Sequence, residues 1–281
     1  VITGKYQIDV LHEGTMTVDG GITFSGLPRD EWQNFYQPDA HNKIKLGINQ
    51  LLVRGERINL LIDTGMGSKI RPRKKQLMGI EQITDLESNL KNFSLRLEEI
   101  THVVFTHLHY DHAGGTTRID PNSKEVFCVF PNAEFFVQSQ EWKFACSPDN
   151  ISRAAYFIMD FLPLAETGRL RLINGDIEVA DGIFIEITGG HTAAHQMVRI
   201  EDKKYEIIFP GDICPTPHHL RPLGRESFDL YPMQTLQARQ ALINKILNKQ
   251  ALLVFSHGLK QKFYQITGTP ENPEAIEFHE S

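Results

Sequence analysis

The sequence predicts an α/β sandwich, two sheets facing each other with helices outside, from two observations. Strand-like and helix-like segments alternate along the chain, and several short apolar runs each end in a His or Asp flanked by Gly or Ser. Strand ends that converge would present a site, with glycines letting the backbone pass close to it. At 281 residues the chain can bury a large core, and residues 1–281 read as one domain because these endings are spread along the chain.

Ile58-Asn59-Leu60-Leu61-Ile62 is the first such run and leads to Asp63-Thr64-Gly65. Thr84-Asp85-Leu86-Glu87 has the capping-box pattern. Leu86, Leu90, Phe93 and Leu97 follow at helical spacing, which predicts a helix with one face inward. The next run, His102-Val103-Val104-Phe105-Thr106, stops at His107-Leu108-His109-Tyr110-Asp111-His112, and Ala113-Gly114-Gly115 opens a helix. Four potential ligands within six residues, on a turn that lets neighbouring side chains converge, suit Zn²⁺ or a similar divalent ion.

Further runs supply more ligands. Ile183-Phe184-Ile185-Glu186-Ile187 leads to Thr188-Gly189-Gly190-His191, and Tyr205-Glu206-Ile207-Ile208-Phe209 leads to Pro210-Gly211-Asp212. Leu236, Ile243, Ile246 and Leu247 mark a long amphipathic helix before Ala251-Leu252-Leu253-Val254-Phe255, which leads to Ser256-His257-Gly258.

In this order and spacing, from about Ile44 to Gly258, the motifs resemble the metallo-β-lactamase superfamily. The resemblance implies a four-layer αββα sandwich with one metal held by His107, His109 and His191 and a second by Asp111, His112 and His257. Asp212 would bridge the two, and Asp63 would orient the ligand loop from behind rather than bind metal. Members that hydrolyse β-lactams usually lack the Asp111-His112 pairing, so the resemblance implies a dinuclear hydrolase. Two cations about 3.5 to 4 Å apart would hold a bridging hydroxide for attack on a carbonyl or phosphoryl centre. Asp212 and Asp111 are then the expected catalytic carboxylates. Zn²⁺ is the expected ion, with Mn²⁺, Fe²⁺ or Co²⁺ also suited to the donor set.

Softer motifs resemble the quorum-quenching N-acyl-homoserine lactonases and methyl parathion hydrolase. They are Phe24-Ser25-Gly26-Leu27-Pro28 with Trp32, Phe130-Pro131-Asn132-Ala133 with Glu141-Trp142, Asp212 followed by Pro215-Thr216 and His219, and Tyr231-Pro232-Met233. The expected pocket walls are residues 24–28 with Trp32, Cys214-Pro215-Thr216-Pro217-His218-His219 and Phe228-Asp229-Leu230-Tyr231-Pro232-Met233. Within them Phe24, Trp32, His219 and Tyr231 are the expected substrate-pocket residues, with ordinary core an equal reading for Phe24 and Trp32. Some lactonases carry a tyrosine three residues after the bridging aspartate; here Pro215 stands there, leaving His219, Tyr231 or the second metal to assist the leaving group. His195, closing His191-Thr192-Ala193-Ala194-His195, is read as a supporting histidine, and His218 as exposed loop.

The expected reaction is hydrolysis of a small ester or lactone. Organophosphate triesters and thioesters are alternatives for the same site, and a flavodiiron-like oxidoreductase is the alternative of another class. A formal net charge of −6 provides no basic field for nucleic acid. The cluster Lys69, Arg71, Arg73, Lys74 and Lys75 reads as a solvated loop. No stretch approaches the roughly 20 apolar residues of a membrane span, so a soluble protein is expected. Cys128, Cys146 and Cys214, widely spaced, read as reduced thiols in a cytoplasmic protein. The start at Val1 leaves a removed signal peptide open. The apolar N-terminal segment could serve a homodimer interface as readily as a pocket.

Overall fold

In a computed structural model, which describes all residues except 83, 248 and 281, the strands form two seven-stranded sheets and a small ribbon. The first sheet uses β1 (Gln7–Asp19), β2 (Lys43–Arg54), β3 (Asn59–Ile62), β4 (Glu81–Gln82) and β5 (His102–Val104). After the ribbon β6 (Thr117–Ile119) and β7 (Val126–Cys128), it is completed by β8 (Glu134–Gln138) and β9 (Leu170–Ile173), in the order β4-β1-β2-β3-β5-β8-β9. The second sheet follows chain order: β10 (Ile177–Ala180), β11 (Ile183–Ile187), β12 (Gln196–Glu201), β13 (Glu206–Phe209), β14 (Ala251–Leu253), β15 (Tyr264–Thr269) and β16 (Asn272–Glu277).

Apolar runs without polar alternation arise because both faces of these strands are covered. Leu51, Val53, Leu60, Ile62, Val104 and Phe136 point between the sheets and meet Ile183, Ile185, Val198, Ile200, Ile207 and Phe209. Their neighbours Leu52, Leu61, Val103 and Phe135 point the other way, onto Leu86, Leu90, Ala145 and Phe161 of the outer helices. On the far side Ile208 and Leu253 pack under Leu242, Ile243 and Ile246 of the helix Pro232–Leu247. Period-two side-chain alternation thus yields four layers, αββα. Each fully buried Leu or Ile contributes about 1.5 to 3 kcal/mol.

The helix after Thr84 runs from Leu86 to Lys91, and its N-cap is Asp85, not Thr84. Asp85 accepts from Ser88 N at 2.8 Å, while Thr84 is drawn to the sheet through its own N–H to Glu13 O at 3.1 Å. Glu13 is the extra residue of a bulge in β1, where pairing with β2 shifts between His12 and Gly14. Its carboxylate accepts from Met66 N at 2.6 Å and Gly67 N at 2.9 Å, pinning the loop after β3.

Burial pushes the Glu13 carboxyl from 4.5 up to about 7. Its folded pKa is therefore above the unfolded one. The stability it contributes is fully present below pH 4.5 and is lost as pH rises through 7. Glu13→Gln is expected to flatten that part of the stability curve, read as urea midpoints across the same interval. An unchanged slope would assign the dependence to another group.

Candidate metal centre

Five strands deliver polar residues to one edge of the sandwich. β3 and β5 are parallel, as are β13 and β14, and β11 runs with β13 because both are antiparallel to β12. Their C-terminal ends lead to Asp63, His107, Asp212, His257 and His191. A short helix, Tyr110–Ala113, brings Asp111 and His112 to the same place.

This crossing requires backbone to lie on backbone. Thr64 N donates to His112 O at 2.6 Å, and Gly115 N to Gly65 O at 3.0 Å. A Cβ on Gly115 would lie 2.0 Å from Thr64 O, and one on Gly114 2.1 Å from Met66 O. The two glycines after the ligand turn thus permit the close approach that seats Asp63 behind it.

Asp212 Oδ2 is the centre of the arrangement. His112 Nε2 lies 3.2 Å away, His257 Nε2 3.4 Å, His191 Nε2 3.6 Å and His107 Nε2 3.9 Å. His109 Nδ1 is 3.2 Å from His191 Nε2, and Asp111 Oδ2 is 3.8 Å from His257 Nε2. Among the described residues three ligand-type groups lie around Asp212, namely His107, His109 and His191; His107, His112 and Asp212; and Asp111, His112 and His257; a fourth, His191 with Glu226 and Asp229, adjoins them. Of the groups around Asp212, only Asp111 is not fully buried. His107 Nε2 is buried with no hydrogen-bond partner, an arrangement that costs free energy unless a cation satisfies it, and His112 Nε2 has only Asp212 Oδ2 at 3.2 Å. The donor set therefore fits divalent metal.

The opposite side of each ring is anchored. His112 Nδ1 donates to Asp63 Oδ2 at 2.8 Å, and the same carboxylate accepts from Thr106 N and Oγ1, both at 2.8 Å. His257 Nδ1 donates to Gly47 O at 2.8 Å, and His191 Nδ1 lies 3.0 Å from Asp229 Oδ1. Ser256 Oγ donates to Asp212 Oδ1 at 2.8 Å, leaving Oδ2 for the imidazoles. His195 sits behind: its Nε2 accepts from Asp212 N at 3.0 Å while Nδ1 meets Thr188 Oγ1 at 2.7 Å. Such contacts fix tautomer and ring orientation.

Burial and neighbouring imidazoles hold His107 and His109 well below the usual histidine range. Burial also opposes protonation of His191 and His257, yet carboxylates outweigh it, Asp229 with Asp212 at the first and Asp212 at the second, and both rise to about 9. Burial likewise opposes ionisation of Asp212, and the charges on His112 and His257 prevail, holding it well below the usual carboxylate range. The carboxylates thus favour positive charge at His191 and His257, while His107 and His109 stay in the neutral form that ligates a metal.

Glu141 joins the two ligand-bearing loops. It accepts from Leu108 N at 3.0 Å, Thr192 Oγ1 at 2.6 Å and Tyr156 OH at 3.0 Å, and the Tyr156 ring packs edge-on against His109, centroids 4.7 Å apart. Glu141→Ala is expected to weaken metal retention by roughly 10- to 100-fold, measured by chelator competition. Unchanged retention would show that the loops hold their positions without it.

A cleft of about 670 Å³ opens above this centre, reaching His109, Asp111, His191, Asp212 and His257. Its walls come from Met16–Asp19 of β1, the helix Pro72–Leu77, residues 151–155 and residues 226–230. Three of the four expected pocket residues lie in the core instead. Phe24 and Trp32 pack with Tyr36, Ile44 and Leu46, and Phe24 stacks on His219 at 4.6 Å. Both nitrogens of His219 are engaged, Nδ1 with Thr216 Oγ1 at 2.8 Å and Nε2 with Thr23 O at 2.9 Å, so this ring serves packing. Tyr231 is half exposed and off the cleft, where its N–H bonds Gly190 O.

His218 is not exposed loop: it is half-buried, stacked on Phe35 at 4.4 Å. The basic cluster is likewise only partly solvated. Lys69 is a buried partner of Asp160, and Lys74 lines the cleft with its ammonium over the Phe157 ring. Beside His191, Glu226 carried no motif in the sequence, and Asp229, within an expected wall segment, had no role assigned to it. Among the described residues no helix is long and apolar enough to cross a membrane.

A four-layer αββα sandwich with His and Asp groups positioned at one edge to bind metal defines a class, the metal-dependent hydrolases. This chain belongs to the metallo-beta-lactamase superfamily, whose family model matches residues 45–257. An N-acyl homoserine lactonase of Bacillus thuringiensis is 23% identical over 223 residues, 75% of this chain and 81% of the relative. Another, from Bacillus sp, is 27% identical over 225 residues with the same coverage. A third, from Bacillus cereus, is 25% identical over 179 residues, 59% of this chain, and the match spans 63% of that relative's length. Among solved structures, a probable metal-dependent hydrolase from Staphylococcus aureus superposes with a TM-score of 0.90 at 27% identity, covering 100% of both chains. AidC, a dizinc quorum-quenching lactonase, shares the fold with a TM-score of 0.81 at 20% identity, covering 100% of this chain and 97% of its own.

Proposed function

We propose that this protein is a dinuclear hydrolase that opens a small ester or lactone. The observation that supports this reading is the cleft, whose floor is the ligand cluster and whose walls include Met16, Val18, Leu46, Leu77, Ile151 and Phe228. Such a pocket suits an apolar acyl group with a polar reacting end. His107, His109 and His191 would hold one ion, Asp111, His112 and His257 a second, and Asp212 would bridge them. Bound metal would lower the pKa of water toward about 7 and polarise the acyl oxygen.

The chain's own groups do the rest. Ser256 fixes Asp212 so that Oδ2 keeps its place among the imidazoles. Apolar walls shed water around the substrate. Asp111, the ligand most open to the cleft, is placed to take the proton released by the attacking water and return it to the departing oxygen. Pro215 has no hydroxyl, His219 is tied in the core and Tyr231 is off the cleft, so none of these serves that step.

The test is proton release from short- and long-chain N-acyl-homoserine lactones by protein loaded with Zn²⁺ or Mn²⁺, against metal-stripped protein. Metal-dependent turnover with kcat/KM above about 10⁴ M⁻¹s⁻¹, within the ordinary enzymatic range, is the expected result. No turnover with either metal would reject the lactone reading, and phosphotriesters would be the next class to assay.

A further inference from the structure

Two lysines line the cleft, and they are used differently. Lys43 Nζ donates to Leu77 O at 3.0 Å. Lys74 has its ammonium 4.0 Å from the centroid of Phe157 and 5.4 Å from that of Tyr110. Those rings stack at 5.0 Å and 18°. Tyr110 lines the cleft together with Lys74, His109 and Asp111, while Phe157 stacks on it from outside the lining. The acid whose charge Lys74 senses is Asp160, and Asp160 is held by Lys69 at 3.1 Å. Among the described residues no carboxylate forms an ion pair with Lys74.

Acids of the cleft are committed elsewhere. Asp19 caps the turn at Ile22 and bonds Asn42, Asp229 orients His191 with Glu226 3.8 Å from the same nitrogen, and Asp111 and Asp212 belong to the metal cluster. An ammonium held against aromatic faces, half-buried and without a carboxylate partner, retains donors that a ligand can satisfy.

We propose that Lys74 binds a carboxylate at the far end of the substrate's acyl arm, so that the substrate class is an ester or lactone whose acyl chain ends in an acid. This rests on the ester or lactone reading above. The scissile carbonyl would sit at the ligand cluster, the arm would pass Tyr110 within the cleft, and the terminal carboxylate would accept from Nζ of Lys74. A charge-assisted hydrogen bond of this kind is worth on the order of tenfold in affinity.

The experiment compares kcat/KM for homoserine lactones N-acylated with glutaryl, or with succinyl and adipoyl as shorter and longer arms, against neutral alkanoyl chains of equal length. The metal-loaded wild type is expected to favour the best acid-terminated arm by about tenfold. Lys74→Met should bring that ratio to about one, and Lys74→Arg should keep most of it. A wild-type ratio of one or less, or a ratio that survives Lys74→Met, overturns the proposal while neutral-lactone turnover leaves the lactone reading intact. If no lactone is turned over, the lactone reading fails, and binding of the γ-lactam analogues decides the rest. Tighter binding of the acid-terminated lactam that Lys74→Met abolishes upholds the carboxylate site; equal or absent binding overturns it.

Discussion

Asp212→Ala is expected to reduce turnover by at least about a thousandfold and to lower the metal content of the purified protein. Loss of one well-placed electrostatic contact alone costs roughly 10²- to 10³-fold, and this substitution also removes the one oxygen toward which four imidazoles point, at 3.2 to 3.9 Å. The fold should survive, because the backbone N–H of residue 212 keeps its bond to His195, and β13 is held by β12 and β14. Metal analysis, circular dichroism and the proton-release assay on one preparation separate these effects. Full turnover in the variant would end the proposed role of Asp212.

A second large effect is expected away from the chemistry. Lys69 and Asp160 lie 3.1 Å apart with side chains 3% exposed each, and Lys69 also donates to Gly114 O and to Thr117 O at 2.7 Å. Burial lowers the Lys69 pKa and pushes Asp160 up to about 6, so desolvation weighs against both charges even as they attract each other. Such a pair adds little net stability, yet removing one partner strands the other. Lys69→Met is therefore expected to cost about 3 to 5 kcal/mol, read from urea unfolding. Replacing both residues, as Lys69→Met with Asp160→Leu, should recover most of that. A loss below about 1 kcal/mol in the single variant, the size of an exposed pair, would show that water reaches the site.

The ligand cluster was legible because its signal is local. His107 to His112 crowd into one turn, and each remaining His or Asp ends an apolar run beside a glycine or serine. The supporting place of Asp63 came from the family resemblance, since its own run ends in Asp and Gly just as a ligand's would. Of the cleft walls only Phe228, Asp229 and Leu230 were legible, as part of an expected wall segment; Met16–Asp19 and the helix Pro72–Leu77 were not, since only the fold brings them together. Phe24 and Trp32 show the limit of composition: an aromatic beside Gly and Pro reads the same whether it faces a substrate or Ile44 and Leu46. Lys69 and Lys74 show the limit for charge, because Asp160 and Phe157, which take them out of solvent, lie more than eighty residues away in sequence.

The chain passes from the first sheet to the second once, between β9 and β10. His107, His109, Asp111 and His112 precede that passage, and His191, Asp212 and His257 follow it. With the ligands assigned as proposed, neither half of the chain holds a complete set. The ions would then act as a clasp between two halves of one polypeptide, and their free concentration would enter the folding equilibrium itself. Chelation would not simply switch the enzyme off; it would loosen the seam along which the two sheets meet.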